Sequence, residues 1–122
     1  MGKVFVAPVD VVLDHENTVQ PDLVFIASPN LGIVQRRAIF GTPDLLVELI
    51  SPSSVGRDRY DKRELYARFG VKEYWIGDPA NKSIEILTLR EGRYELHCAA
   101  EIQGNLTSLL LQGLEFDLKE IQ

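Results

Sequence analysis

An acidic motif that opens onto an apolar run occurs twice in this chain, and it restricts the folds the chain can adopt. The copies are Pro21-Asp22-Leu23-Val24-Phe25-Ile26 and Pro43-Asp44-Leu45-Leu46-Val47-Glu48-Leu49-Ile50. Each places a carboxylate where the apolar run begins, and the second adds Glu48 inside it. A charged side chain in a buried strand carries a large desolvation penalty and needs a partner. Several such groups converging on one place suggest a bound divalent cation, and with it phosphodiester chemistry.

The length of 122 residues fits one domain spanning 1–122, and a 45% hydrophobic fraction allows a core of modest size. No apolar stretch reaches the ~18 residues needed to cross a bilayer. The segment Met1-Gly2-Lys3-Val4-Phe5-Val6 lacks the apolar region and cleavage site of a signal peptide, so a cytoplasmic protein with no membrane partner is expected. A net charge of −5 argues against a surface built for nonspecific nucleic-acid binding. Basic residues are nonetheless clustered, at Arg57, Arg59, Lys62, Arg63 and Arg68 and again at Arg36 and Arg37. The single cysteine, Cys98, has no second thiol to pair with and reads as a small core filler. His15 and His97 have no metal-ligand spacing, which argues against zinc.

Residues 3–13 read as extended, with Pro8 marking an edge, a bulge or a break between two short strands. Residues 14–20 read as a turn, Leu23–Ile26 as a strand, 28–32 as a turn cluster, and 33–42 are ambiguous. Residues 44–50 are apolar on both faces apart from their acids, which predicts a central strand. Arg57–Phe69 is the one convincing helix, capped by Ser53 or Ser54 and stopped by Gly70. Strands follow at 74–76, 83–89 and 94–102, with a hairpin turn at Glu91-Gly92-Arg93. Two short apolar pieces around Gly113 predict a last strand or a tail helix. The order predicts an α+β fold, a mixed sheet with one main helix on it.

Strand geometry limits which acids can act together. Asp44 and Glu48 share a face but lie ~13 Å apart along one strand, too far to hold one ion. If the two acidic strands pair antiparallel about a centre near Gln35, Asp22 falls opposite Glu48, with Cβ atoms ~4.5–5.5 Å apart. Two carboxylates at that spacing repel unless a cation or a proton intervenes, and Mg²⁺ held by one or two carboxylates and waters fits them. Lys62, one turn into the helix, could then orient or deprotonate an attacking water. Each residue also has a plain structural reading. Glu48 could be a buried acid satisfied by hydrogen bonds or an arginine, Asp44 a strand-start residue after Pro43, and Lys62 a surface partner of Asp58. Asp78, before Pro79, reads as a turn residue.

Four blocks together carry a resemblance. They are Gln20-Pro21-Asp22-Leu23-Val24-Phe25-Ile26, the run Gly41 to Ser53, Arg57-Asp58 with Lys62 and Tyr66, and the run Gly70 to Pro79. In order and spacing they resemble the Uma-type "putative restriction endonuclease" family, which is assigned to the PD-(D/E)XK nuclease superfamily. The resemblance covers nearly the whole chain from about Val4. It implies a restriction-endonuclease-like core and Mg²⁺-dependent hydrolysis of DNA, with Mn²⁺ as a substitute ion. It also implies Asp22 and Glu48 as the metal-binding acids, with Asp44 as an auxiliary acid. The superfamily's usual lysine position, two after Glu48, is Ile50 here. Lys62 is the residue that fills the role from the following helix. Arginines of 57–63 are expected to contact the DNA backbone. Relative to the family, the chain is expected to be an N-terminally short version, with one sheet face left bare and covered by a homodimer partner or a companion chain. The competing expectation is a catalytically inactive nuclease-fold binding module.

Overall fold

A computed structural model describes residues 2–50, 57–78, 83–101, 105–107 and 115–117. Eleven strands surround one α-helix among these residues. The chain opens with β1 (Gly2–Val6), breaks at Ala7-Pro8, and resumes in β2 (Val11–Asp14). The segment read as a turn at 14–20 is in fact a tight hairpin. Asp14 Oδ1 accepts the Glu16 N–H, and the chain returns as β3 (Asn17–Val19). Main-chain pairing with β2 overrides the polar composition that suggested a plain turn. Next come β4 (Leu23–Ala27), a 3₁₀ helix (Ser28–Ile33) and the two-residue β5 (Ile39–Phe40), which resolves the ambiguous stretch.

β6 (Leu45–Leu49) and α1 (Arg57–Phe69) follow where the apolar patterns place them. The helix ends in a Schellman arrangement. Gly70 takes φ +80, its N–H bonds the Ala67 carbonyl, and the Val71 N–H bonds the Tyr66 carbonyl. The proposed caps Ser53 and Ser54 lie outside the described residues. The remaining strands are β7 (Glu73–Asp78), β8 (Ser83–Arg90), β9 (Arg93–Glu101), β10 (Asn105–Thr107) and β11 (Glu115–Asp117). The β8–β9 hairpin turns at Glu91 and Gly92, both at positive φ. At the tail, β10 and β11 pair antiparallel, and the rest of the apolar stretches around Gly113 lies outside the described residues.

Six strands form the main sheet in the order β1-β4-β6-β7-β8-β9. Only β6 and β7 are parallel, as their connection through α1 requires. The small sheet β3-β2-β5 and α1 share one core with a single face of the main sheet. There Val11 and Ile39 of the small sheet and Tyr66 of the helix join Val24, Leu46 and Tyr74. Phe25, Leu45, Trp75, Ile84 and Ile86 form a second cluster on the opposite face. β6 therefore buries Leu46 on one side and Leu45 on the other, the two-sided central position its composition predicts. A register shift between Ile86 and Leu87 interrupts the alternation of β8, so two successive residues are buried there.

Candidate active site

The pairing of β4 with β6 creates the site. Their register sets Leu23 opposite Val47 and Val24 opposite Leu46, which centres the antiparallel pair on position 35. One further step of that register would bring Asp22 across from Glu48, but the regular pairing ends at Leu23 and Val47. Beyond Leu23 the ladder is irregular: the Asp22 N–H bonds the Val47 carbonyl, one residue off the Leu23–Val47 register. The Asp22 carboxylate then extends it, with Oδ2 accepting the Leu49 N–H at 2.7 Å. In this way a side chain stands in for the next main-chain acceptor as β4 begins.

Glu48 is 5% exposed, and its carboxylate is held by three side chains. Tyr66 of α1 donates its hydroxyl to Oε1 at 2.6 Å. Tyr74 of β7 donates to Oε2 at 3.0 Å. Lys62 Nζ lies 3.5 Å from Oε1. The Tyr66 and Tyr74 rings meet edge to face, 5.0 Å between centroids, which fixes both hydroxyls on the acid. Burial, then the negative charge of Glu48, pushes the Tyr66 hydroxyl well above its ordinary range, so it remains a donor. Glu48 is thus a buried acid satisfied by hydrogen bonds, and it stands beside Lys62.

The structure does not bring Asp44 into this group. It sits just before β6, at the end remote from Glu48, and is 3% exposed. Its Oδ2 accepts the Ala27 N–H at 2.7 Å, and its Oδ1 accepts from Asn30 Nδ2 at 2.9 Å with Lys72 Nζ at 3.8 Å. These bonds tie the end of β4 and the 3₁₀ helix to β6. Asp44→Ala is expected to destabilise the protein by about 1–3 kcal/mol, since it leaves the part-buried Ala27 N–H without its acceptor. Urea denaturation measures that loss.

The tyrosines are the residues that sequence reasoning missed. Tyr66 enters there as a residue of the predicted helix and Tyr74 as the start of a predicted strand, neither with a role at the acid. The available signal was chemical: a buried phenol needs a hydrogen-bond partner, and Tyr66 follows Lys62 by one helical turn. Buried Glu73 was missed too, and it accepts the Trp75 indole N–H at 2.6 Å. The alternative partner for Lys62, the Asp58 side chain, lies outside the described residues.

A carboxylate offers about four lone-pair sites. Protein donors occupy three at Glu48, and one Asp22 oxygen is committed to Leu49. Among the described residues no group of three His, Cys, Asp or Glu side chains could enclose a metal ion. An ion held by the lone pairs left over at Glu48 and Asp22 would have to keep most of its waters, as Mg²⁺ does when it binds through one or two carboxylates.

A mixed sheet carrying acids at the end of its central strands, under one main helix, defines a nuclease-like α+β fold. The same fold is seen in a crystal structure from Anabaena variabilis described as "a putative nuclease belonging to DUF820", with a TM-score of 0.59 and 14% identity. The match covers 78% of this chain and 54% of that one, so the chain spans little more than half the length of that neighbour. The family model Uma2, described as "Putative restriction endonuclease", matches residues 1–119, and the chain belongs to that family. No curated protein matches the sequence. Among the described residues no helix is long and apolar enough to cross a membrane.

Proposed function

We propose that this protein is a Mg²⁺-dependent endonuclease that hydrolyses DNA phosphodiester bonds in the cytoplasm. The observation that carries this reading is Lys62 Nζ 3.5 Å from the buried Glu48 carboxylate, with the Asp22 carboxylate bonded to the Leu49 N–H next to Glu48. In this reading Asp22 and Glu48 hold the ion, with Mn²⁺ able to replace Mg²⁺. Bound there, the ion would neutralise phosphate charge and acidify a water. Lys62 orients that water and steadies charge on the phosphate; its side chain is 38% exposed and can turn toward substrate. Tyr66 and Tyr74 hold the Glu48 carboxylate in place from the side away from substrate. Asp44 is given no part in the chemistry, because its bonds serve the other end of β6.

The experiment is cleavage of plasmid DNA by the purified protein. Cleavage is expected with Mg²⁺ or Mn²⁺, is abolished by EDTA, and falls by at least about 10²-fold in Lys62→Ala. Equal cleavage by the wild type and the variant sinks the reading.

The occupancy of Glu48 by Tyr66, Tyr74 and Lys62 favours a second reading, an inactive nuclease-fold binding module. Such a protein shows no saturable Mn²⁺ site in a titration, whereas the nuclease reading requires one that Asp22→Asn weakens.

A homodimer belongs to the same proposal. Val4 and Val6 of the edge strand β1 and Leu49 of β6 are exposed, and their strand positions share the sheet face opposite α1. Light scattering is expected to report a dimer that Val6→Glu dissociates; a wild-type monomer at high concentration removes this part.

A further inference from the structure

A cleft of about 550 Å³ lies between α1 and the turn of the β8–β9 hairpin, apart from the carboxylate pair. Arg63 and Arg68 line it from the helix and Arg93 from the hairpin, with Glu64 the one acid among its lining residues. In a chain of net charge −5, three guanidinium groups around one hollow reverse the overall sign locally. Two are held in place. Arg63 Nη2 donates to the Tyr94 carbonyl at 3.4 Å, and the Arg68 guanidinium sits 5.3 Å from the centre of the Phe69 ring. Arg68 also suits the negative end of the helix dipole, so a purely structural role would explain it and Arg63. That role does not explain Arg93, which reaches the same cleft from a different element.

We propose that this cleft binds the phosphodiester backbone of duplex DNA to one side of the phosphate at Lys62. The proposal rests on the nuclease reading for the identity of the polyanion. Guanidinium groups suit it, because they grip phosphate oxygens in a bidentate fashion. The helix sets the distance. Arg63 adjoins Lys62, and Arg68 lies six residues beyond Lys62, about 9 Å along the axis at ~1.5 Å per residue. With the duplex axis along α1, at ~3.4 Å of axial rise per nucleotide of one strand, that displacement spans about two to three nucleotides. A strand bound at Lys62 and following the flank of α1 thus meets Arg63 first, then Arg68 and Arg93. The cleft anchors the strand without reading bases, so its contribution is independent of sequence and sensitive to salt.

The test is fluorescence anisotropy of a labelled duplex with the full chain in EDTA, where no cleavage intervenes, over a salt series. Arg68→Ala and Arg93→Ala are each expected to weaken binding about tenfold at low salt. Each is also expected to flatten the plot of log affinity against log salt by about 0.9 for every phosphate left without its cation. Arg93→Lys is expected to retain most of the slope, since it keeps the charge. Unchanged affinity and slope in the Arg68→Ala/Arg93→Ala double variant overturn the proposal. Failure of the nuclease reading is seen separately, as Glu48→Gln protein that cuts DNA as the wild type does.

Discussion

On the nuclease reading, Glu48→Gln is expected to remove DNA cleavage while the protein still folds. The substitution keeps the shape of the side chain and a carbonyl oxygen for one tyrosine. It removes the charge that makes this position suitable for a divalent cation, and it turns one acceptor into a donor facing a phenol. The Tyr66 or Tyr74 hydroxyl can rotate to accept, so the fold loses only about 1–3 kcal/mol. The chemistry loses more. A bound metal ion would contribute several kcal/mol of charge stabilisation, so on the proposed mechanism a site that cannot hold it is expected to slow by about 10³-fold or more. Single-turnover cleavage at saturating DNA, paired with a thermal melt of the same sample, separates the two effects. Wild-type rates in the variant would remove Glu48 from the mechanism.

The second large effect concerns stability and is strongly non-additive. Glu48→Leu is expected to destabilise the protein by about 2–5 kcal/mol, although it replaces a buried charge with an apolar group. The reason is that the Tyr66 and Tyr74 hydroxyls both donate to Glu48 and would be left buried with nothing to accept them. Adding Tyr66→Phe and Tyr74→Phe to Glu48→Leu removes the orphaned hydroxyls and is expected to restore stability to within about 1 kcal/mol of the wild type. Lys62 needs no compensation, since its partly exposed side chain can turn to water. Urea denaturation of the single, double and triple variants measures the coupling directly. A triple variant as unstable as the sum of its parts would mean that the three side chains do not act as a unit.

This network explains why the fold was more legible than the site. The apolar run of β6, the helix from Arg57 to Phe69 and its stop at Gly70 follow from local pattern and conformational preference, which act over a few residues. The break at Pro8 is legible for the same reason. β3 was hidden because the short run Asn17-Thr18-Val19, inside a polar segment, forms a strand only when β2 lies beside it. At the site, Asp22 and Glu48 were identifiable as acids adjoining or within apolar runs. Their juxtaposition needed a guess at register across an intervening loop; the β4–β6 ladder runs from Leu23 to Phe25, and the Asp22 carboxylate meets the Leu49 N–H beside Glu48. Asp44 has the same sequence signature as Asp22 but takes Ala27, Asn30 and Lys72 as partners. Nothing local distinguishes the two aspartates; their opposite ends of the paired strands do.

The sequence by itself determined where most of the strands and the helix lie, which strand is central and which acids carry a desolvation penalty in need of an answer. Those properties depend on side-chain chemistry and near neighbours. The tertiary structure decided what answers each acid, because the partners of Glu48 arrive from separate elements: Lys62 and Tyr66 from α1 and Tyr74 from β7. It alone also set Arg93 beside Arg63 and Arg68, which precede it by two strands, by folding the β8–β9 hairpin back against the helix.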